Sequence, residues 1–548
     1  MWSLSPIATS TIQELYQLAR AQPWFSQEKR DEQIRSILVR LAELKDVAAI
    51  PRIARFVLLG SPKVQAAARQ VIADLLSTLA PYELLSASEH LSDWSYHWYE
   101  LDEWYKLGPA DVSRVAGNPN ESAYSSLLGL LSFHWNGYVR HRAVNLLSEQ
   151  QDGSELSFLI LRQNDWVEPI AKEARVAVAH RTTDTYVPHF IRSLRLVIHL
   201  NSVRRRDHHD FVHRVLDLLL KERHCHQLEQ VIDEGDPVVN RYLVQYGLSV
   251  PGSHRGRLIR LAIRSDDPVV RLNCCRSLPD AYSAFDLERQ LEIMLKDRFM
   301  PVRREAFRLS AEQSPSHEED LWKRALLDQS RSLREFARYS LKKLGYSEER
   351  IAANYRAVIA NSPENLSALQ GLAETGTQTD TDLFQRLLQH EFPSRRVVGI
   401  QGLTRLNAKS TIPVILPLLS DCSPRVVREV SQSLSRVSYL VAGEELMEIA
   451  LHAPGSFARS HAVRTIVMLG KWQSLPWLLS IASISESDVA AVAEEELLRW
   501  LTPPKCNKVF TSPSSSEREM LISVLERARG HAPEEILNLV RDTLQSFS

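Results

Sequence analysis

The chain contains little glycine and no long apolar run, and these shortages exclude several classes of protein. Glycine supplies only 19 of 548 residues, and strand-like alternation is hard to find. The longest uncharged stretch, residues 122–139, includes His134 and Asn136 among several serines, which prevents it from crossing a membrane. The N-terminal segment MWSLSPIATSTIQELYQLAR has no early positive charge followed by an apolar run, so we expect no signal peptide. A soluble, nearly all-α protein is expected.

Cysteine is scarce, and neither sign of charge is in excess. The five cysteines are odd in number, include no CxxC pair, and two of them are adjacent. A secreted disulfide scaffold has a different pattern, so we expect a reducing compartment and a cytoplasmic protein. Lysine plus arginine (66) nearly balance aspartate plus glutamate (67), which gives no global attraction to nucleic acid or to an anionic membrane. The cysteines are Cys225, Cys274, Cys275, Cys422 and Cys506.

Motifs of catalysis are missing as well. The sequence has no GxSxG elbow and no glycine loop that cradles phosphate. Cys225 stands between two histidines, but neighbouring residues on a helix face different ways, so this juxtaposition is interpreted as chance. We therefore expect a non-catalytic protein without a cofactor.

What the chain does contain is a repeat. From Asp236 to Val489 a helix start recurs: a small or acidic residue, often a proline, apolar residues, an arginine and then an alanine-sized position. The apolar residue that opens each helix recurs every 29 to 33 residues, a period that indicates stacked pairs of helices. These markers are Val239, Val270, Val302, Leu333, Leu366, Val397, Val426, Phe457 and Val489.

The helix starts carry capping signals, and from them the architecture can be predicted. Asp236, Asp267, Ser362 and Ser423 each precede a proline, the arrangement of an N-cap oxygen followed by proline in the first turn. The predicted fold is an all-α, right-handed α-solenoid of about 13–14 stacked antiparallel helix pairs. We expect N-terminal capping helices (1–45), a repeat solenoid (46–501) with an aromatic-rich insertion at about 80–120, a Pro/Ser-rich linker (502–516) and a C-terminal helical pair (517–548). Ser516 and Glu519 have the spacing of a capping box.

The Asp-Pro-Val-Val-Arg helix start, at this period, resembles the HEAT-repeat superfamily. The short repeat looks most like the subgroup named after phycobilisome lyases, and the resemblance extends from about Asp46 to Leu501. It implies a solenoid that serves as a scaffold or adaptor, although a few relatives are lyase-related chaperones or DNA-binding repair enzymes. It also implies that the arginines near the helix starts pair with an acidic residue in the preceding turn, a role suited to Asp297, Asp328 and Asp421. The alternative is that these arginines form a basic concave surface. They are Arg241, Arg271, Arg303, Arg334 and Arg428.

Aromatic residues are concentrated between His90 and Pro109. A helical wheel places some of them on one buried stripe, and it leaves Tyr96, Tyr99 and Trp104 off that stripe. Exposed rigid aromatics are common anchors of protein interfaces. These three residues are therefore predicted to bind a partner, with packing inside the insertion as the alternative.

A second irregular zone, residues 180–226, is rich in histidine and arginine. His209 and His213 are four residues apart, and Asp217 follows on the same face, which can chelate a divalent metal. Zinc sites need three or four supported ligands, so we expect no metal and interpret this face as solvated. Arginines that the repeat pattern does not explain, and that can contact an acidic protein segment or phosphates, are Arg204, Arg205, Arg206, Arg255, Arg257, Arg260 and Arg264.

The sequence therefore predicts a cytoplasmic, non-catalytic scaffold that holds a protein partner on its extended surface. Arg204, Arg205, Arg206, Arg257 and Arg260 are expected to supply charge to that contact. One alternative is binding of nucleic acid through the same arginines, with a steep salt dependence. Another is a lyase or chaperone that acts on a tetrapyrrole-bearing protein, which rests on the resemblance alone.

Overall fold

The computed structural model describes residues 3–20, 27–92, 102–233, 235–484, 488–503 and 511–547. The described residues form helices and turns and contain no strand, which confirms the predicted all-α class. None of their helices is both long enough and apolar enough to cross a bilayer. The chain divides into two compact units, Met1–Met294 and Leu295–Ser548. Tyr96 and Tyr99 lie outside the described residues.

The first unit contains nineteen α-helices among its described residues. Short turns connect most of them, so successive helices run antiparallel and pack on their neighbours. The helices are α1 (Pro6–Arg20), α2 (Gln27–Glu43), α3 (Ile50–Leu58), α4 (Pro62–Ser77), α5 (Leu84–Ser92), α6 (Asp102–Tyr105), α7 (Val112–Ala116), α8 (Tyr124–Leu131), α9 (Gly137–Glu149), α10 (Leu156–Arg162), α11 (Glu168–Arg181), α12 (Val187–Arg192), α13 (Leu194–His199), α14 (His209–Leu219), α15 (Cys225–Asp233), α16 (Pro237–Ser249), α17 (His254–Arg264), α18 (Pro268–Ser277) and α19 (Ala284–Met294).

The second unit is built in the same way, with each helix packed on the next and often on the one after it. Its longest helix, α26, has a kink at Asn407 that separates two helices of successive repeats. The helices are α20 (Met300–Gln313), α21 (Glu318–Ala325), α22 (Arg331–Lys343), α23 (Glu348–Asn361), α24 (Leu366–Thr375), α25 (Thr381–Leu387), α26 (Pro393–Ile415), α27 (Pro424–Ser435), α28 (Gly443–His452), α29 (Ser456–Ile466), α30 (Lys471–Ala482), α31 (Ala490–Leu501), α32 (Ser515–Arg527) and α33 (Glu534–Gln545).

The predicted helix starts agree with the structure where a carboxylate forms the cap. Asp236 accepts the N–H of Val238 at 2.9 Å, and Asp267 caps α18 in the same way. Ser423 stands at the N-cap of α27, but its side chain forms no capping bond. The prediction is wrong for Ser362, which follows α23, because Asn365 caps α24.

Most of the apolar markers lie in the core, as their period predicts. Val239, Val270, Val302, Leu333, Val397, Val426 and Val489 are buried. Leu366 is only half-buried and Phe457 is exposed. At these two helix starts the buried place, three residues after the N-cap, belongs instead to Ala368 and Ala458. A small residue therefore fills the position that valine or leucine fills elsewhere.

Buried arginines join successive repeats within each unit, in an arrangement that we call the arginine ladder. Each ladder arginine stands four residues after an N-cap, and its Nη1 donates to carbonyl oxygens of the turn before its own helix. In Arg140, Arg303 and Arg396, other guanidinium nitrogens bind an aspartate of the following repeat, at 2.7 to 3.2 Å. The ladder residues of this kind are Arg140, Arg271, Arg303, Arg334 and Arg396, and the three aspartates are Asp165, Asp328 and Asp421.

This ladder corrects the predicted one in two respects. Arg241 and Arg428 stand one position later and are exposed, so neither occupies the buried ladder position. Arg241 still binds Asp267 of the following repeat at 2.7 Å. The acidic partner also comes from the following repeat rather than from the preceding turn, because that turn already offers its carbonyl oxygens to the same guanidinium. Asp328, for example, binds Arg303 and also accepts the N–H of Ser330 at 2.7 Å.

The last two helices pack onto the end of the second unit. α32 lies against α30, and α33 lies against α31. Trp472 of α30 donates to the carbonyl oxygen of Thr511 at 2.6 Å and meets the ring of Phe547 edge to face. The predicted capping box is shifted by two residues, because Ser514 and Glu517 form it. The C-terminal pair therefore covers the apolar face of the preceding helices.

Candidate partner-binding surface

Trp104, predicted to be exposed, is a core residue. Its side chain is 2% exposed, its ring lies 5.9 Å from the ring of His134, and its carbonyl oxygen accepts a hydrogen bond from His134 at 2.9 Å. The expectation of exposure is wrong because α6 packs against α3 and turns this residue toward the turn before α9. The helical wheel that suggested exposure began before α6, whose first residue is Asp102.

The three consecutive arginines, Arg204 to Arg206, differ in whether they bond to other residues of the fold. Arg205 donates to the carbonyl oxygen of Asn164 at 2.9 Å. Arg206 donates to the carbonyl oxygen of Asp165 and binds Glu168 at 2.5 Å. Arg204 is exposed and forms no ion pair with a described residue. Two of the three arginines therefore hold the 203–208 loop against the turn before α11, and their role in a partner contact stays a prediction.

Arg257 and Arg260 line a cleft between α15, α16 and α17, with a volume of about 640 Å³. Arg257 forms an ion pair with Glu229 at 3.0 Å. Arg260 and Arg264 are exposed and lie on the same face of α17, three and seven residues after Arg257. The structure thus brings these arginines together, and their role in a partner contact stays a prediction. It keeps them away from the triple arginine, which lines no part of this cleft.

The histidine pair has ordinary partners. His213 stacks on Tyr246 with ring centroids 4.6 Å apart, and the Tyr246 hydroxyl donates to Asp217 at 2.8 Å. His209 contacts the side-chain oxygen of Asn201 at 2.8 Å. No group of three or more potential metal ligands occurs among the described residues.

Among the described residues, two exposed aromatic side chains are tryptophans that we did not select from the sequence. Trp135 immediately precedes the N-cap of α9, and Trp166 immediately precedes the N-cap of α11, so both occupy the same place in successive turns. Trp135 is 52% exposed, Trp166 is 69% exposed, and Tyr138 in the first turn of α9 is 77% exposed. Apolar rings this large are costly to leave in water. We call Trp135, Tyr138 and Trp166 the tryptophan patch.

A cleft of about 420 Å³ lies against the tryptophan patch, and arginines shape its walls. Arg140 of the ladder donates to the carbonyl oxygen of Trp135 at 2.9 Å, and its guanidinium lies 5.2 Å from the ring of Trp166. Arg162 lies over the ring of Phe133 at 5.3 Å. Burial lowers the pKa of Arg162 to about 10, although Asp165 favours its charged form. Arg162 is thus charged at neutral pH, and Arg140 contacts both tryptophans of the patch.

His134 lies beneath this surface and makes it sensitive to pH. Its Nε2 donates to the carbonyl oxygen of Trp104 at 2.9 Å, and its Nδ1 accepts the N–H of Asn136 at 3.1 Å. Burial, aided by the charge of Arg140, lowers the pKa of His134 below its ordinary value. A second proton would occupy Nδ1 and would remove the bond from Asn136. The neutral ring is therefore the form that the fold requires.

We expect the first unit to lose stability as the pH falls below the ordinary histidine pKa of about 6.5. The folded chain binds this proton more weakly than the unfolded chain, so the contribution of His134 is complete above that pH and is lost below it. The thermal midpoint of wild type should fall more steeply between pH 7 and pH 5 than the thermal midpoint of His134→Gln. The same substitution at the exposed His226 is the control, and equal pH slopes for all three proteins would contradict the prediction.

The sequence carried a signal for the tryptophan patch, in the position of the two residues rather than in aromatic density. Trp135 and Trp166 are one repeat apart, each just before a helix start. Core residues of these repeats lie inside the helices, whereas the residue before the N-cap lies in the turn. A large aromatic residue at that place in two successive repeats therefore indicates a surface feature.

Comparison with known proteins agrees with the repeat architecture. The family model of HEAT repeats matches residues 381–467, which include α25 to α29. None of the curated proteins compared with this sequence matches it.

Three of the solved structures that are similar to this chain are the following. Kap121p bound to Pho4p is 11% identical with a TM-score of 0.33, and the alignment covers 99% of this chain and 57% of that one. Kap95p with RanGDP is 11% identical with a TM-score of 0.35, with coverage of 97% and 79%. A chain of the S. pombe condensin Cnd3-Cnd2 subcomplex is 13% identical with a TM-score of 0.29, and the alignment covers 99% of this chain and 96% of that one. The chain thus spans little more than half the length of Kap121p.

Because these TM-scores are low, the fold assignment rests on the helix pairs of the structure and on the family match. Both describe the same element, a pair of antiparallel helices that recurs and packs on its neighbours. At the level of the fold, the chain resembles the proteins built from HEAT repeats.

Proposed function

We propose that the protein is a non-catalytic scaffold that binds a protein partner, and that the tryptophan patch is a principal contact. The observation that carries this proposal is the exposure of Trp135 and Trp166 at the same place in successive repeats, beside a cleft of about 420 Å³. Tryptophan and tyrosine bury large areas at low entropic cost and dominate the energetics of interfaces. A cytoplasmic location belongs to the same proposal.

Preorganisation supports this surface. The Trp135 main chain is held by Arg140, and the same guanidinium lies against the ring of Trp166. Arg140 is itself fixed by its two bonds to Asp165. A partner would therefore meet rings whose freedom is already restricted, which lowers the entropic cost of binding.

Nucleic-acid binding is the second candidate, and Arg204, Arg260 and Arg264 favour it, because they are exposed and form no ion pair with a described residue. Tryptophan can also stack on unpaired bases. Against it, Arg205 and Arg206 are engaged within the fold, and the chain has a net charge of −1. A lyase or chaperone action rests on the family resemblance alone.

The test places a photo-cross-linking amino acid at Tyr138 in the full-length chain. Nuclease-treated native lysate of the source organism should give a specific protein adduct, whereas the same probe at Tyr339, an exposed tyrosine of the second unit, should not. The adduct is identified by mass spectrometry and produced recombinantly. Its affinity should fall at least about tenfold for the Trp135→Ser, Trp166→Ser double variant.

Two controls separate a lost contact from a lost fold. The thermal midpoint of the double variant should remain close to that of wild type, because both tryptophan side chains are largely exposed. A Tyr339→Ser variant should keep its affinity for the partner. Equal adducts at Tyr138 and Tyr339, or an unchanged affinity in the double variant, would contradict the proposal. A protein adduct at Tyr138 that forms only when the nuclease treatment is omitted would favour the second candidate.

A further inference from the structure

In α16 no arginine occupies the ladder position, and the cleft of about 640 Å³ lies beside that position. Asn240 stands four residues after the N-cap Asp236, where a ladder residue is arginine. Ser265 stands two residues before the N-cap Asp267, where Asp165, Asp328 and Asp421 stand in other repeats. Both members of a ladder pair are thus replaced by short uncharged side chains, and both line the cleft.

Three other helices without a ladder arginine have an apolar residue at this position. Ala171 in α11, Leu369 in α24 and Val427 in α27 take the corresponding position, and all three are buried in the core. Only a polar side chain at this position leaves a hydrogen-bonding requirement behind. Gln65 of α4 is a polar residue at the same position, and its Nε2 donates to the carbonyl oxygen of Gly60 at 3.1 Å. Asn240 differs from all four residues in having a buried oxygen without a donor among the described residues.

Only the nitrogen of the Asn240 side-chain amide has a hydrogen-bond partner among the described residues. The side chain is 4% exposed, and its Nδ2 donates to the carbonyl oxygen of Ile232 at 2.9 Å. Its Oδ1 has no hydrogen-bond donor among the described residues. Buried polar atoms nearly always have a partner, and this oxygen belongs to a residue that lines the cleft. An N–H or O–H group of a bound molecule would supply the missing donor.

The charges that line the cleft select among ligands. Arg257 is neutralised by Glu229, whereas Arg260 and Arg264 form no ion pair with a described residue and offer two cations on one face of α17. Carboxylates of Asp233 and Asp266 line the cleft as well. They would repel a continuous polyanion such as nucleic acid more than a short segment with two carboxylates, which can lie at Arg260 and Arg264 alone.

We infer that this cleft binds a short acidic peptide segment of the protein partner. Its carboxylates pair with Arg260 and Arg264, and one of its backbone N–H groups donates to Oδ1 of Asn240. An extended peptide carries both groups within a few residues. The volume lies within the range of roughly 300–1,000 Å³ of small-ligand sites, which suits a few residues. The inference rests on the proposed function, because it takes the ligand to be part of a protein.

The experiment measures binding of the full-length chain to arrays of acetylated and amidated nonapeptides. Each array fixes two glutamates at a chosen spacing and randomises the other positions, and a matched array carries glutamine instead. Wild type should prefer at least one glutamate array about tenfold or more over its glutamine match. Arg260→Glu with Arg264→Glu should abolish the preference. Asn240→Leu should weaken binding roughly three- to tenfold while the preference remains.

The matched control has the same change in charge at a distance from the cleft. Arg35 and Arg289 are exposed residues of the first unit that do not line it, so Arg35→Glu with Arg289→Glu should keep the preference. The inference is overturned if wild type shows no preference for glutamate at any spacing, or if the preference survives Arg260→Glu with Arg264→Glu. It is also overturned if a 20-mer of oligodeoxythymidine or inorganic phosphate binds at these arginines in place of the peptides.

This test is separable from that of the tryptophan patch. The Trp135→Ser, Trp166→Ser variant should bind the peptide arrays like wild type, since neither residue lines the 640 Å³ cleft. If a protein cross-links at Tyr138 but the peptide arrays show no preference for glutamate, the acidic-peptide inference is overturned and the scaffold proposal stands. Arrays that succeed without a cross-linked protein at Tyr138 would support the cleft and contradict the tryptophan patch.

Discussion

Replacing Arg303 by alanine is expected to lower the free energy of unfolding in the second unit by about 3–5 kcal/mol. Arg303 is almost fully buried, binds both carboxylate oxygens of Asp328 at 2.7 Å, and donates to the carbonyl oxygen of Asp297 at 2.7 Å. Its removal leaves the Asp328 carboxylate without its cation in a poorly hydrated place. The loss exceeds that of an exposed ion pair, for which about 0–1 kcal/mol is usual.

Hydrogen exchange of the full-length chain is the suitable measurement, because a chain of two units need not unfold in a single step. Amides of α20 to α22 should lose protection by about a hundredfold or more, since 1.4 kcal/mol corresponds to a factor of ten. Arg428→Ala, an exposed arginine of the same unit, should change protection by less than about 0.5 kcal/mol.

A double-mutant cycle then separates the ion pair from the rest. Asp328→Ala removes the carboxylate that accepts the backbone N–H of Ser330 and that also binds Arg303. We expect the double variant to be less destabilised than the sum of the single variants, because it leaves no buried charge unpaired. Strict additivity would show that Arg303 acts only through its bond to the Asp297 carbonyl.

The repeat architecture was predictable because it depends on local and periodic signals. Proline after Asp236 and Asp267 and the regular return of buried valines mark helix starts without any knowledge of tertiary contacts. The register of the ladder was not predictable in the same way. Arginine at either of two adjacent positions fits the pattern, and only the location of the N-cap distinguishes the buried Arg303 from the exposed Arg428.

The candidate site depended more strongly on tertiary structure. Trp104 belongs to a segment dense in aromatics, yet its neighbours in space bury it. Trp135 and Trp166 attract less notice in the sequence, and their exposure follows from the turn that holds them. Asn240 became distinctive only after the ladder positions were known. The grouping of Arg257 with Arg260 was predictable, because spacing on one helix fixes it.

The second large effect is expected from Gly399→Ala in α26, which should lower the free energy of unfolding by about 2–3 kcal/mol. A Cβ at Gly399 would lie 2.7 Å from the carbonyl oxygen of Phe384 and 2.9 Å from the side chain of Leu388. The first contact is with backbone, so α25 as a whole must move away. Alanine also favours the helix by up to about 1 kcal/mol, and the expected loss is the net of the two effects.

One turn further along α26, Gly402 faces the ring of Phe384, with a Cβ distance of 2.6 Å. The two glycines together therefore set how closely α25 and α26 approach. Hydrogen exchange across 381–415 should show reduced protection for Gly399→Ala. In α17, Gly256→Ala is the matched control, because its nearest neighbour is the end of Arg260 at 3.9 Å, and it should be neutral or slightly stabilising. Unchanged protection in Gly399→Ala would mean that the two helices separate at little cost, and the packing described for this pair would then be wrong.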